Sequence, residues 1–118
     1  MADELSINAT ISFSKGGAKV NRSESASVTV TGDSFIHNVQ SIDTSEEVVL
    51  EGTDLGTPGY MWIKNLDATN YVDVGLTGAY QVRLKAGEIA LYRVASSAAI
   101  YALANTGACL VEYVLIET

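Results

Sequence analysis

Apolar and polar residues alternate with a period of two along most of this chain. Leu5, Ile7, Ala9, Ile11 and Phe13 interleave with Ser6, Asn8, Thr10 and Ser12. Successive side chains of an extended strand point to opposite faces, so this pattern predicts a half-buried strand. Lys15-Gly16-Gly17 interrupts it as a turn. Ala26, Val28 and Val30 alternate with Ser27, Thr29 and Thr31 in the next strand, which Gly32-Asp33 ends. A third segment, Phe35 to Ile42, alternates less cleanly, and a fourth, Glu47 to Glu51, is short and flanked by acids. The run 51–59, Glu-Gly-Thr-Asp-Leu-Gly-Thr-Pro-Gly, reads as a loop. Strands are expected again at Tyr60–Lys64, Tyr71–Gly75, Tyr80–Lys85, Glu88–Val94, Ala99–Ala104 and Cys109–Glu117. Ala86-Gly87 predicts a tight hairpin between two of them. The last run, through Leu110, Val111, Tyr113, Val114, Leu115 and Ile116, has few polar breaks. It predicts a central strand buried on both faces.

Helical patterning is scarce. Val94 to Asn105 is alanine-rich, and alanine is the strongest helix former. Ser96-Ser97, the Ile100-Tyr101 pair and Gly107 just beyond turn the reading towards strand there as well. The expected fold is all-β: a β-sandwich or jelly-roll-like domain of about eight to ten short, mostly antiparallel strands. No internal repeat, linker or low-complexity tract divides the sequence, which reads as one domain over 1–118.

Composition agrees with that class. A chain of 118 residues, 47% apolar and 18% charged, is long and apolar enough for a core without disulfides or metals. Its 7 basic and 14 acidic residues give a net charge of −7. Phosphate backbones and anionic membranes are bound by Lys and Arg, so neither a nucleic acid nor a membrane surface is an expected partner. Apolar runs fall far short of the roughly 20 residues a membrane helix needs. Met1-Ala2-Asp3-Glu4 is acidic and precedes no long apolar stretch, so no secretory signal is read and synthesis in a cytoplasm is expected. The triplets Asn8-Ala9-Thr10 and Asn21-Arg22-Ser23 then carry no glycosylation meaning.

Candidate chemistry is sparse. Cys109 is the single cysteine, so no internal disulfide forms, and its place in Cys109-Leu110-Val111 reads as a small buried hydrophobe. His37 is the single histidine and has no close spacing to Cys109, which removes most metal and acid–base sets. No Gly-x-Ser-x-Gly turn supplies a nucleophile, so His37 is expected to make an ordinary strand hydrogen bond. Asp43, Glu46, Glu47, Glu51 and Asp54 concentrate acid in one window. They match no calcium-loop spacing and read as a solvated loop. Lys15-Gly16-Gly17-Ala18-Lys19 lacks the ending of a phosphate loop and reads as a turn. No catalytic residue, cofactor or metal is assigned.

Two features point instead to a partner. Lys15, Lys19 and Arg22 form the densest basic stretch of an acidic chain, fit to orient a contact between unlike faces. Tyr60 and Trp62 share one face of a strand whose other face carries Met61 and Ile63. A sandwich covers only one face of each sheet, so one of these apolar faces is expected to meet a neighbour, or a sugar, while the other fills the core.

Three stretches resemble small β-rich proteins encoded among the virion genes of tailed bacteriophages. They are Ile63-Lys64-Asn65-Leu66-Asp67-Ala68-Thr69-Asn70-Tyr71-Val72-Asp73-Val74-Gly75, then Leu84-Lys85-Ala86-Gly87-Glu88-Ile89-Ala90-Leu91-Tyr92-Arg93-Val94, and the ending Val111-Glu112-Tyr113-Val114-Leu115-Ile116-Glu117. The likeness spans about residues 25 to 117, and its strand and turn motifs are generic to β proteins. It implies a non-enzymatic head-decoration protein in the virion, assembling as a symmetric homo-oligomer, a trimer before a dimer, on the major capsid protein or another virion protein. A neck, tail or fibre component is the alternative it leaves. A carbohydrate-binding sandwich and a small enzyme are the readings of other classes.

Overall fold

A computed structural model of the chain describes residues 3–95 and 99–118. Every regular element among them is a β-strand. The chain divides into two compact units, Met1–Thr31 and Gly32–Thr118.

The first unit is an antiparallel hairpin of β1 (Leu5–Lys15) and β2 (Ala18–Val28). Gly16 and Gly17 form its two-residue loop with φ of +56° and +89°. Both left-handed residues are what lets so short a loop follow the right-handed twist of its strands. The strand expected at Ala26–Val30 starts much earlier, at Ala18, because Arg22 and Glu24 sit at the apolar parity and break the sequence signal. Neither strand holds a buried residue. The half-buried strand read at Leu5–Phe13 is therefore a strand without a core of its own, and the sandwich expected over 1–118 is confined to the second unit.

That unit contains β3 (Phe35–Ile42), β4 (Glu47–Val48), β5 (Pro58–Asn65), β6 (Val72–Leu76), β7 (Ala79–Leu84), β8 (Ile89–Arg93), β9 (Tyr101–Ala104) and β10 (Cys109–Glu117). They form two four-stranded antiparallel sheets, ordered β3-β10-β5-β8 and β4-β9-β6-β7. The pairings nest: β3 with β10, β4 with β9, β5 with β8 and β6 with β7, as in one long hairpin wound up. Ile42, Met61, Ile63, Val111, Tyr113 and Leu115 of the first sheet are wholly buried with Val72, Val74 and Ala102 of the second. At roughly 25 cal/mol per Å² of apolar surface, this common core is the main stabilising term of the β-sandwich.

Two strand readings need correction. Ala86-Gly87 does not close a hairpin, since β7 pairs with β6 and β8 with β5. The turn carries the chain from one sheet to the other, and Gly87 N–H donates to Asn65 O at 3.1 Å. The tight hairpin lies one connection earlier, at Thr77-Gly78 between β6 and β7. β10 is central, as expected, but only one face is buried: Cys109, Val111, Tyr113 and Leu115 face the core while Leu110 is exposed. In Val94–Asn105 the described part holds strand β9; Ser96, Ser97 and Ala98 lie outside the described residues.

Polar side chains tie the ends of the sandwich. Asn65 is wholly buried. Its amide donates to Asn70 O at 2.9 Å and Leu84 O at 3.0 Å, and its oxygen accepts from Asp67 N at 2.9 Å. Gln40 donates to Val48 O at 2.9 Å and accepts from Leu50 N at 3.0 Å, bridging β3 to the strand of the opposite sheet where no ladder can form. No helix among the described residues is long and apolar enough to cross a membrane.

Candidate functional site

The β3-β10-β5-β8 sheet has a second face, and its composition sets it apart. Register fixes which side chains share it, because residues paired across antiparallel strands point the same way. Phe35, Ile116, Tyr60 and Arg93 form one row across the sheet. His37, Val114, Trp62 and Leu91 form the next, followed by Val39, Glu112, Lys64 and Ile89, with Leu110 beyond. Phe35, Val39, Ile89, Leu91 and Leu110 are between 40% and 69% exposed. Tyr60, Trp62, Val114 and Ile116 are half-buried among them. A sheet face turned to water is ordinarily polar, so a face with this many exposed apolar side chains is unusual for one left to solvent. Covering its exposed side chains would contribute on the order of 1–2 kcal/mol each.

The polar groups on this face are few. His37 Nε2 meets Glu112 Oε2 at 2.7 Å, which is the ordinary strand hydrogen bond expected of it. The Arg93 guanidinium lies 4.7 Å from the centroid of the Tyr60 ring. Lys64 pairs across the strands with Glu112. The second sheet differs: there Arg83 grips Asp73 through Nε at 2.8 Å and Nη2 at 3.1 Å, and stacks 4.0 Å over the Tyr71 ring.

Of the residues singled out from sequence, Tyr60 and Trp62 do share one face, and Met61 and Ile63 fill the core behind it. Lys15, Lys19 and Arg22 lie on the hairpin unit, and they do not share a face there. Lys15 and Arg22 project from one side and Lys19, paired with Ser14, from the other. Sequence reading missed Phe35, Val39, Ile89 and Leu91 as surface apolar residues, because an alternating strand reads the same whichever face is buried. Only the cross-strand register brings them together.

The acidic window is divided rather than pooled. Glu46 accepts hydrogen bonds from Thr77, Tyr80 and Gly78 N, the last at 2.9 Å, and these hold its carboxyl below the usual range. Glu47 accepts from Asp43 N at 2.8 Å and from Gln40 at 3.1 Å. With Asp43, which accepts from Thr44 N at 2.7 Å, three of the five acids thus accept loop hydrogen bonds while the window stays largely exposed, as a solvated loop does. Among the described residues no three His, Cys, Asp or Glu stand together as metal ligands would. Cys109 is wholly buried, and burial pushes its thiol up, as befits a small core residue. No protein-family model, curated protein or solved structure matches this chain.

Proposed function

We propose that this chain is a non-catalytic structural protein of a tailed-bacteriophage particle, a capsid decoration protein that binds the outer shell. The observation that carries the reading is the apolar outer face of the β3-β10-β5-β8 sheet, a ready surface for a protein partner such as the major capsid protein. The nested strand pairing supports it. Two four-stranded sheets wound from one long hairpin is the plan of a jelly roll, which virus shell proteins and lectins share. That support is fold-level analogy, and the phage assignment itself rests on the three resembling stretches. Many copies on a repeated shell gain strength by avidity, so each contact can be a modest apolar patch. The resemblance also implies a symmetric trimer, and a neck, tail or fibre position is the alternative within the virion.

The aromatic pair Tyr60 and Trp62 favours a second reading, a sugar-stacking platform. The cross-strand neighbours of Trp62 favour the first. A sugar ring needs hydrogen-bonding groups around the stacking ring, and although Tyr60 and Lys64 lie two residues away on the same strand face, Val114 and Leu91 flank Trp62 on its two sides. A protein surface suits that apolar setting better.

The test is to mix the purified chain with phage particles that lack it and image them by cryo-electron microscopy. Density at regular positions on the shell is the expected result, and density at the neck or tail alone would move the protein to the alternative site. Absence from the particles, together with specific binding on a glycan array, would overturn the reading in favour of the lectin-like one.

A further inference from the structure

The hairpin unit divides its side chains by chemistry with little mixing. One face carries the cross-strand pairs Ser6–Ser27, Asn8–Ser25, Thr10–Ser23, Ser12–Asn21 and Ser14–Lys19. Its hydroxyls and amides bond one another, Thr10 with Ser23 at 2.9 Å and Ser25 with Asn8 at 2.7 Å, as a water-facing surface does. The other face carries the pairs Leu5–Val28, Ile7–Ala26, Ala9–Glu24, Ile11–Arg22, Phe13–Val20 and Lys15–Ala18. On it Ile11, Phe13 and Val20 are 63%, 50% and 50% exposed. A two-stranded ribbon is marginal alone, so a ribbon with one apolar face needs something laid on that face.

We infer that the occupant is the same ribbon of a second copy, packed face to face and antiparallel about a two-fold axis. Two opposite charges in the apolar face single out this arrangement. Arg22 and Glu24 are neighbours on β2, with Nη1 and Oε1 3.2 Å apart, and they straddle the midpoint of the ribbon. A two-fold axis across that midpoint reverses one ribbon over the other with β2 stacked on β2. Each Arg22 then faces the Glu24 of the second copy, and the reverse, so the two central charges are paired across the axis. The one other charge on the face, Lys15, falls at the ribbon tip against Leu5, where its ammonium reaches water. The same operation sets Ile7 against Phe13, Ala26 against Val20 and Ala9 against Ile11, a large residue against one of equal or smaller size. Stacked sheets cross at about 30°, which splays the ends of the ribbons but leaves the central charged rows in register.

Other arrangements leave these charges paired only within their own chain and bring like charges together between copies. A two-fold axis along the ribbon sets Arg22 beside Arg22 and Glu24 beside Glu24. A three-fold axis along it does the same, so this surface speaks for pairs rather than the trimer implied by resemblance. The contact is a small one: strands of 11 residues at about 3.3 Å give a ribbon about 36 Å long and about 10 Å wide, so two such faces cover roughly 700 Å² in projection, which fits a weak pair better than a tight one. The inference is independent of the phage reading, since it concerns a different unit and needs no particle.

Sedimentation and cross-linking of the full chain test it. The native chain should sediment at twice its 12.5 kDa mass at tens of micromolar. R22E and E24R should each weaken the pair by about tenfold or more, through like charges facing across the axis. An equimolar mixture of the two variants should pair again, because each supplies the charges the other lacks while the contact within each chain stays repulsive. A second measurement fixes register. Chains with Ile7→Cys and with Phe13→Cys should oxidise to a covalent dimer when mixed, and neither alone, since identical positions lie about 20 Å apart in the antiparallel pair. A native monomer, a trimer, charge variants that associate like the native chain, or cross-linking of Ile7→Cys with itself would each overturn the proposal.

Discussion

At the scale of single residues, a few polar side chains, from buried to exposed, fasten the loops of the sandwich by satisfying several partners each. Asn65 is the clearest, with three side-chain hydrogen bonds inside the core layer. Asn65→Leu would strip a partner from the buried Leu84 carbonyl and from the part-buried Asn70 carbonyl and Asp67 N–H, and should cost about 1–3 kcal/mol in equilibrium unfolding by urea. Glu46 sets a pH dependence. Hydrogen bonds from Thr77, then Tyr80 and Gly78, hold its folded carboxyl below the ordinary value of 4.5. A carboxyl lowered on folding adds stability above its unfolded value and loses it as pH falls through the folded one. The urea midpoint should therefore fall as pH drops below the ordinary value of 4.5, and Glu46→Gln should flatten that decline. Residues of this kind were hard to read in the sequence. Asn65 sits in a strand followed by loop residues, where an asparagine is commonplace, and Glu46 lies in an acidic cluster whose members serve different loops. By contrast Cys109 and His37 were legible, because a lone thiol in an apolar run and a lone imidazole in a strand have few other roles.

At the scale of elements, period-two patterning located nearly every strand, since a strand with one core face must alternate. β3 occupies Phe35–Ile42 as read, and β10 occupies Cys109–Glu117 as read. What patterning cannot supply is partnership. Ala86-Gly87 and Thr77-Gly78 look alike as local turns, yet one joins paired strands and the other crosses between sheets. β2 was foreshortened because charges occupy its apolar parity. Close approach of β6 to β7 was equally invisible. Gly75 lies at the register shift of that pair, and a Cβ there would stand 2.9 Å from Tyr80 Cα and 3.0 Å from both Ala79 O and Gln81 N. These are backbone atoms that cannot swing aside. Gly75→Ala should accordingly cost about 1–3 kcal/mol, read as a lower midpoint in thermal or urea unfolding.

At the scale of the whole molecule, two surfaces remain apolar after each unit has folded: the outer face of the β3-β10-β5-β8 sheet and one face of the β1–β2 ribbon. Tyr60 and Trp62 hinted at the first in the sequence, since apolar residues at both parities of a strand cannot all enter one core, but core packing of the two aromatics is the more natural reading there. Its extent became visible only when register joined Leu91 and Leu110 to them. The second was hidden in what looked like an ordinary half-buried strand. Binding of the particle by the outer sheet face, as proposed, is tested most directly by co-sedimentation with particles lacking the chain. Leu91→Glu and Leu110→Glu place charges on that face at exposed positions, where the core is untouched. The native chain should pellet with the particles, and each variant should bind at least about tenfold more weakly while unfolding at the native urea midpoint. Equal binding by the native chain and both variants, or no binding by the native chain, would contradict the account.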